Sequence, residues 1–124
     1  MTAMTLATTL VLVPDVRMGC RLHLYEPGQR LRSMGAALHP AELARSLRAC
    51  SRNGPPLVVL AGQPRHDDWL QCAQELANVV IVPATWLRQH PRRAHAARAR
   101  TALTLVRLHF EHPLRDLRTL ALDF

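Results

Sequence analysis

The chain has 124 residues, 48% of them hydrophobic and 20% charged. That is a globular balance, and the length fits one α/β domain, residues 1–124, with a core that needs no disulfide scaffold. All 16 basic residues are arginine, set against 9 acids, for a formal charge of +7 and an isoelectric point of about 11.2. The balance excludes an acidic, calcium-binding or DNA-mimicking chain. The absence of lysine excludes a Walker-type phosphate loop, a lysine Schiff base and a nuclease motif that pairs carboxylates with lysine.

Residues 5–13 form an apolar, β-branched run closed by Pro14-Asp15, which predicts a buried strand. Nine residues fall far short of the roughly 20 that span a bilayer. No positive charge precedes the run, and Arg17 stands where a signal-peptide cleavage site needs a small residue; a soluble cytoplasmic protein is therefore expected. After Gly19, Leu22 and Leu24 alternate with Arg21, His23 and Tyr25 until Pro27-Gly28, the period-two pattern of a strand with one wet face. The short connection to the first strand predicts an antiparallel hairpin. Residues 27–38 read as a loop or irregular turn.

Pro40 opens a predicted helix to about Arg52. Leu43, Leu47 and Cys50 fall at helical spacing, Glu42 in the first turn and Arg45, Arg48 and Arg52 later, as the helix dipole favours. Gly54 and the Pro55-Pro56 pair end it. The run 57–61 predicts a strand covered on both faces, 65–77 a helix with Trp69, Cys72, Ala73 and Leu76 as its apolar stripe, and 79–82 a second buried strand. Strand, helix and strand in so short a span make a βαβ unit with parallel strands. Trp86-Leu87 packs a short first turn, Pro91 restarts the chain, and a long helix is expected over 92–110. Its stripe is Ala99, Leu103, Val106 and Phe110, with Ala96, Ala102 and Leu105 alongside. Beyond Pro113, Leu114, Leu117 and Leu120 suggest a last helical turn, while alternation over 119–124 equally suits a strand. The expected fold is a three-layer α/β domain: a mixed sheet of about four to five strands, hairpin first and parallel unit second, with helices on both faces.

The charge layout is the most informative feature. Between Glu75 and Glu111 no acid occurs, yet Arg88, Arg92, Arg93, Arg98, Arg100 and Arg107 do, together with His90, His95 and His109. On a helix Arg93, Arg100 and Arg107 drift only about 20° per heptad and form one stripe at intervals of about 10 Å. Such a row can follow a nucleic-acid backbone, because each guanidinium fork takes phosphate oxygens two at a time. The competing account is a solvated face in a chain that uses arginine for lysine everywhere. Tyr25, Trp69 and Trp86 do not cluster, so stacking on unpaired bases has little support and duplex backbone is the better fit.

Other constellations are weaker. His109 and His112 lie three apart with Glu111 between them, but a helix end explains histidines there equally well, and no metal or other cofactor is expected. Cys20, Cys50 and Cys72 are widely spaced without a C-x-x-C pair and read as buried thiols. His66, Asp67 and Asp68 follow the strand ending at Ala61-Gly62, the edge where open α/β sheets bind ligands, although acids in a first helical turn are ordinary capping. Asp15 reads as a turn residue.

Three functions follow. The leading one is a non-enzymatic accessory protein, a homodimer, that binds nucleic-acid backbone through Arg88, Arg92, Arg93, Arg98, Arg100 and Arg107. The second is an assembly module that buries Leu103, Val106, Phe110, Leu114 and Leu117 against a partner or a second copy. The third is a small enzyme with a pocket above Gly62; no small-molecule substrate is identifiable for it.

Overall fold

A computed structural model describes residues 8–15, 19–51, 54–64 and 66–111. It holds a five-stranded mixed sheet in the order β3-β2-β1-β4-β5. The strands are β1 (Thr9–Asp15), β2 (Gly19–Tyr25), β3 (Arg32–Ala37), β4 (Leu57–Ala61) and β5 (Asn78–Val82), and the helices are α1 (Pro40–Cys50), α2 (Asp67–Leu76) and α3 (His95–Glu111). A single 3-10 turn, Ala84–Leu87, follows β5. β1 pairs antiparallel with β2 and parallel with β4, and β4 pairs parallel with β5. The hairpin, the parallel pair and the helices on both faces are as the sequence predicts.

Alternation along the central strands divides the core in two. Leu10 and Leu12 of β1 and Val58 and Leu60 of β4 join Leu43 and Leu47 of α1 and Trp69 and Ala73 of α2. Val11 and Val13, with Val59 and Ala61, face the other way and pack under Ala99, Ala102, Leu103, Leu105 and Val106 of α3. α1 and α2 thus share one face and α3 covers the other. Within α1, Glu42 Oε2 accepts a hydrogen bond from the Leu38 backbone N–H at 2.9 Å, which fixes how the chain enters the helix much as a capping box does.

The structure corrects the sequence reading at four places. Residues 32–37, expected to be loop, form β3. Among the described residues it is an edge strand paired only to β2, its first four residues are exposed, and a bulge interrupts the pairing at Leu22/His23. Without a buried face it shows no apolar alternation, and so leaves no period-two signal. Conversely β5, expected to be a buried strand, is the opposite edge among the described residues, with Ile81 39% exposed. An apolar run reports affinity for strand structure and carries no information about sheet order.

β1 also continues through Pro14 and Asp15, which pair with Cys20 and Gly19. Its parallel pairing with β4 ends at Leu12, so the missing Pro14 N–H removes no bond on that side. Finally α3 begins at His95, leaving Arg92 and Arg93 in the turn before it. The segments expected around Leu114, Leu117 and 119–124 lie outside the described residues.

Gly19 opens β2 at φ +75°. A Cβ there would lie 2.3 Å from the Ala37 carbonyl oxygen and 3.1 Å from the Trp69 ring. Gly28 has a similar φ, +79°, with nothing within 4 Å. Gly19→Ala is therefore expected to lower unfolding stability by more than the roughly 1–3 kcal/mol that the backbone conformation alone costs, and Gly28→Ala by no more than that cost. Urea denaturation of the two variants checks the difference; equal losses would mean that the Ala37 carbonyl moves aside freely.

Candidate functional site

From β1 the chain turns back towards β2 and β3, and from β4 it passes through α2 to β5 on the opposite side. The carboxyl ends of β1 and β4 therefore part, as at the switch point where open α/β sheets form a ligand crevice. A crevice of about 600 Å³ lies there. Asp15 comes to it from the end of β1, Gly62 and Gln63 from the end of β4, His66 from the start of α2, and Arg92 and Arg98 from the chain around the start of α3. Gly62 holds φ +103° with its N–H donating to the Val82 carbonyl at 2.8 Å. That bond ties the strand end to β5 and keeps the turn low.

Each wall has a different character. Leu38, 50% exposed, gives the crevice apolar surface, and the buried Pro64 and Trp69 contribute to its lining. Arg98 is half-buried, and its Nη1 donates to the carbonyl oxygens of Leu87 at 3.3 Å and His90 at 3.1 Å. Burial, and next the nearby Arg92 charge, pull the Arg98 pKa below its usual value. Two cations therefore face one cleft, and among the described residues no carboxylate pairs with either. Cys20 also lines it, but burial, followed by the Asp15 charge, pushes its thiol up to about 12. At neutral pH it stays protonated and does not act as a nucleophile.

Asp15 belongs to a polar cluster between β1, β2 and α3. Its Oδ2 lies 3.2 Å from His95 Nε2 and 3.6 Å from Arg21 Nε. His23 sits on β2 beside them, 4% exposed, and its Nε2 finds no hydrogen-bond partner among the described residues. Burial lowers its pKa, and the neighbouring His95 and Arg21 act in the same direction.

Of the arginines singled out from sequence, Arg88, Arg92, Arg93, Arg100 and Arg107 are exposed. Arg100 and Arg107 lie on α3, where the Arg107 guanidinium sits 5.8 Å from the centre of the Tyr25 ring. Arg92 turns to the crevice, and Arg98 leaves the open surface for the carbonyls it binds. The expected single helical stripe is thus interrupted, because Arg93 precedes the helix.

Among the candidate interface residues, Leu103 and Val106 are buried beneath α3 in the chain's own core. The Phe110 side chain, Leu114 and Leu117 fall outside the described residues, as does His112. No cluster of three histidines, cysteines or acids suited to a metal occurs among the described residues. Nor is any of their helices long and apolar enough to cross a membrane. His66 lines the crevice as the strand-edge reading anticipates, whereas Asp67 and Asp68 are exposed and do not. Asp15, read from sequence as a turn residue, is the acid that does line it.

The fold and crevice define a small three-layer α/β domain with a switch-point cleft. Comparison with family models, curated proteins and solved structures gave no match.

The orphaned His23 sets a pH dependence. Its folded pKa is depressed, so as pH falls below about 6.5 the unfolded chain takes up a proton that the folded chain resists, and stability drops. His23→Leu removes both this term and a buried unsatisfied nitrogen. At pH 7.5 the variant should match the parent or exceed it by up to about 1–3 kcal/mol, and its advantage should widen towards pH 5. Parallel loss of stability in the two proteins on acidification, followed by urea denaturation, would exclude His23 as the source.

Proposed function

We propose that the protein is a non-enzymatic module that binds the backbone of duplex nucleic acid through the arginines at and before α3. One observation carries the reading. Arg88, Arg93, Arg100 and Arg107 are all exposed, in a stretch without a single acid from residue 76 to residue 110, and no carboxylate of the described residues pairs with any of them. Uncompensated guanidinium groups on an open surface create a positive field that attracts polyanions and takes phosphate oxygens in pairs. Arg100 and Arg107, two helical turns apart, are separated by about 10 Å along the axis, a spacing that suits successive contacts along a phosphate backbone.

Contacts of this kind give affinity with little sequence readout. The assembly reading is less well supported, since Leu103 and Val106 are consumed by the core. Backbone binding requires no second copy, and the homodimer is not part of this proposal.

Fluorescence anisotropy of a labelled duplex of 20–30 base pairs across a salt series tests the reading. Affinity should fall linearly on a log–log plot. Arg100→Gln with Arg107→Gln should reduce the slope by about 2, since each lost phosphate contact removes about 0.9. Arg45 and Arg48 are exposed on α1, on the opposite face of the sheet. Changing both to Gln removes the same charge and should leave the slope unaltered. No binding at low salt and micromolar protein ends the proposal, and equal effects of the two double variants reduce it to net charge alone.

A further inference from the structure

The backbone-binding reading leaves the switch-point crevice without a use. Its volume of about 600 Å³ lies within the range of roughly 300–1,000 Å³ typical of small-molecule sites, and its chemistry is uneven in an informative way. At one side Arg92 and Arg98 bring two positive charges to the same cleft. Arg98 cannot swing out to relieve the repulsion without breaking its bonds to the Leu87 and His90 carbonyls. The acid that could neutralise them, Asp15, is instead engaged by His95 and Arg21. Arg98, fixed by those carbonyls, is preorganised for an incoming anion, and Arg92 adds a second positive charge to the same cleft.

A second set of groups adds to this. His66 lines the cleft and is the N-cap of α2, and its side chain does not cap the helix. The α2 dipole is already complemented by Asp67 and Asp68 in the first turn, so what the helix start adds to the cleft is the His66 imidazole itself. Leu38 also gives the cleft exposed apolar surface and Gln63 an amide. A half-exposed leucine at a cleft wall is surface that a ligand's body can cover.

We propose that this crevice binds a free phosphomonoester of mononucleotide size, with its phosphate at Arg92 and Arg98 and its base and sugar against Leu38. The site is separate from the exposed arginines that carry the backbone-binding reading and stands or falls independently of them. Arg98 positions the phosphate through a guanidinium pinned by two carbonyls, and Arg92, lining the cleft from the turn before α3, supplies the second charge.

Isothermal titration of the whole chain with the four ribonucleoside 5′-monophosphates, adenosine and inorganic phosphate provides the test. At least one monophosphate should bind, with adenosine and inorganic phosphate each tenfold or more weaker. Arg92→Gln should weaken that nucleotide at least tenfold, and Ala84→Phe should abolish binding by filling the space beside Gly62. Arg100→Gln with Arg107→Gln should leave it unchanged. Arg98→Gln is less decisive, since it also unties the 87–90 segment.

The proposal is overturned if no monophosphate binds at millimolar concentration, or if inorganic phosphate binds as well as the nucleotide. It is also overturned if the Arg100/Arg107 variant loses nucleotide binding while the Arg92 and Ala84 variants keep it. Duplexes with a 5′-phosphate and with a 5′-hydroxyl should bind the protein equally. A preference for the phosphorylated duplex that Arg92→Gln removes would move the ligand from a free nucleotide to a nucleic-acid end, and the proposal would fail in that form.

Discussion

The parallel pairing of β1 with β4 is the contact on which the rest of the molecule depends. Both strands are buried on both faces: Leu10, Leu12, Val58 and Leu60 meet α1 and α2, and Val11, Val13, Val59 and Ala61 meet α3. Two parallel neighbours cannot be joined by a tight turn. Here the intervening chain goes out through β2 and β3 and returns through α1. The next connection, through α2, leaves on the other side of β4. Opposed departures from adjacent strand ends open the crevice, so the cavity follows from the topology and needs no special loop. The same pairing leaves β2–β3 and β5 as the two flanks of the sheet, one polar and bulged, the other short.

Charge is distributed around this frame in two ways with different physical consequences. Where an arginine meets a carboxylate or a carbonyl it is structural: Arg21 with Asp15, Arg32 with Glu26 at 3.4 Å, Arg98 with two backbone oxygens. The Arg32–Glu26 pair is largely exposed and contributes little to stability. Arg98 is different, because burial removes water that would otherwise satisfy it, and the carbonyls must replace those hydrogen bonds. The remaining arginines after β5 have neither kind of partner among the described residues. A guanidinium that is exposed and unpaired costs folding almost nothing, and it remains free to bind an anion.

How much of this was readable in advance depends on whether a residue's role is set by its neighbours in sequence or by neighbours in space. β1 and β4 are apolar throughout, and β2 and the three helices carry local periodicity; these patterns announced the elements, but not that β1 runs on through Pro14 or that α3 starts only at His95. β3 buries almost nothing, so its residues follow no pattern. The edge position of β5 arises from sheet order, which the strand's own residues do not encode. The site shows the same division. Arg88 and Arg100 were legible as exposed cations from the absence of nearby acids. Arg98 belongs to the same stretch, and only the fold brings its guanidinium to Leu87 O and His90 O. Asp15 looked like a turn residue because its partners, Arg21 and His95, lie on another strand and on the far helix. Leu103 and Val106 satisfy a helical stripe whether the surface opposite is a partner or the chain's own sheet; here the sheet takes them.

Arg92 and Arg93 show how finely the fold sorts adjacent residues. They are consecutive, both exposed, and both precede α3 in the turn that begins at Pro91, yet only Arg92 lines the crevice. Had the helix begun at residue 92, as its composition suggests, both would have been fixed on the helix cylinder about 100° apart, and Arg93 would have continued the line of Arg100 and Arg107. Starting the helix at His95 instead frees the turn to aim Arg92 at the cleft and places His95 beside Asp15. That pairing engages an acid that lines the same crevice as the two arginines. The delayed start of α3 thus divides one basic segment into an open surface and a lined cavity, and the two proposals made above rest on that division.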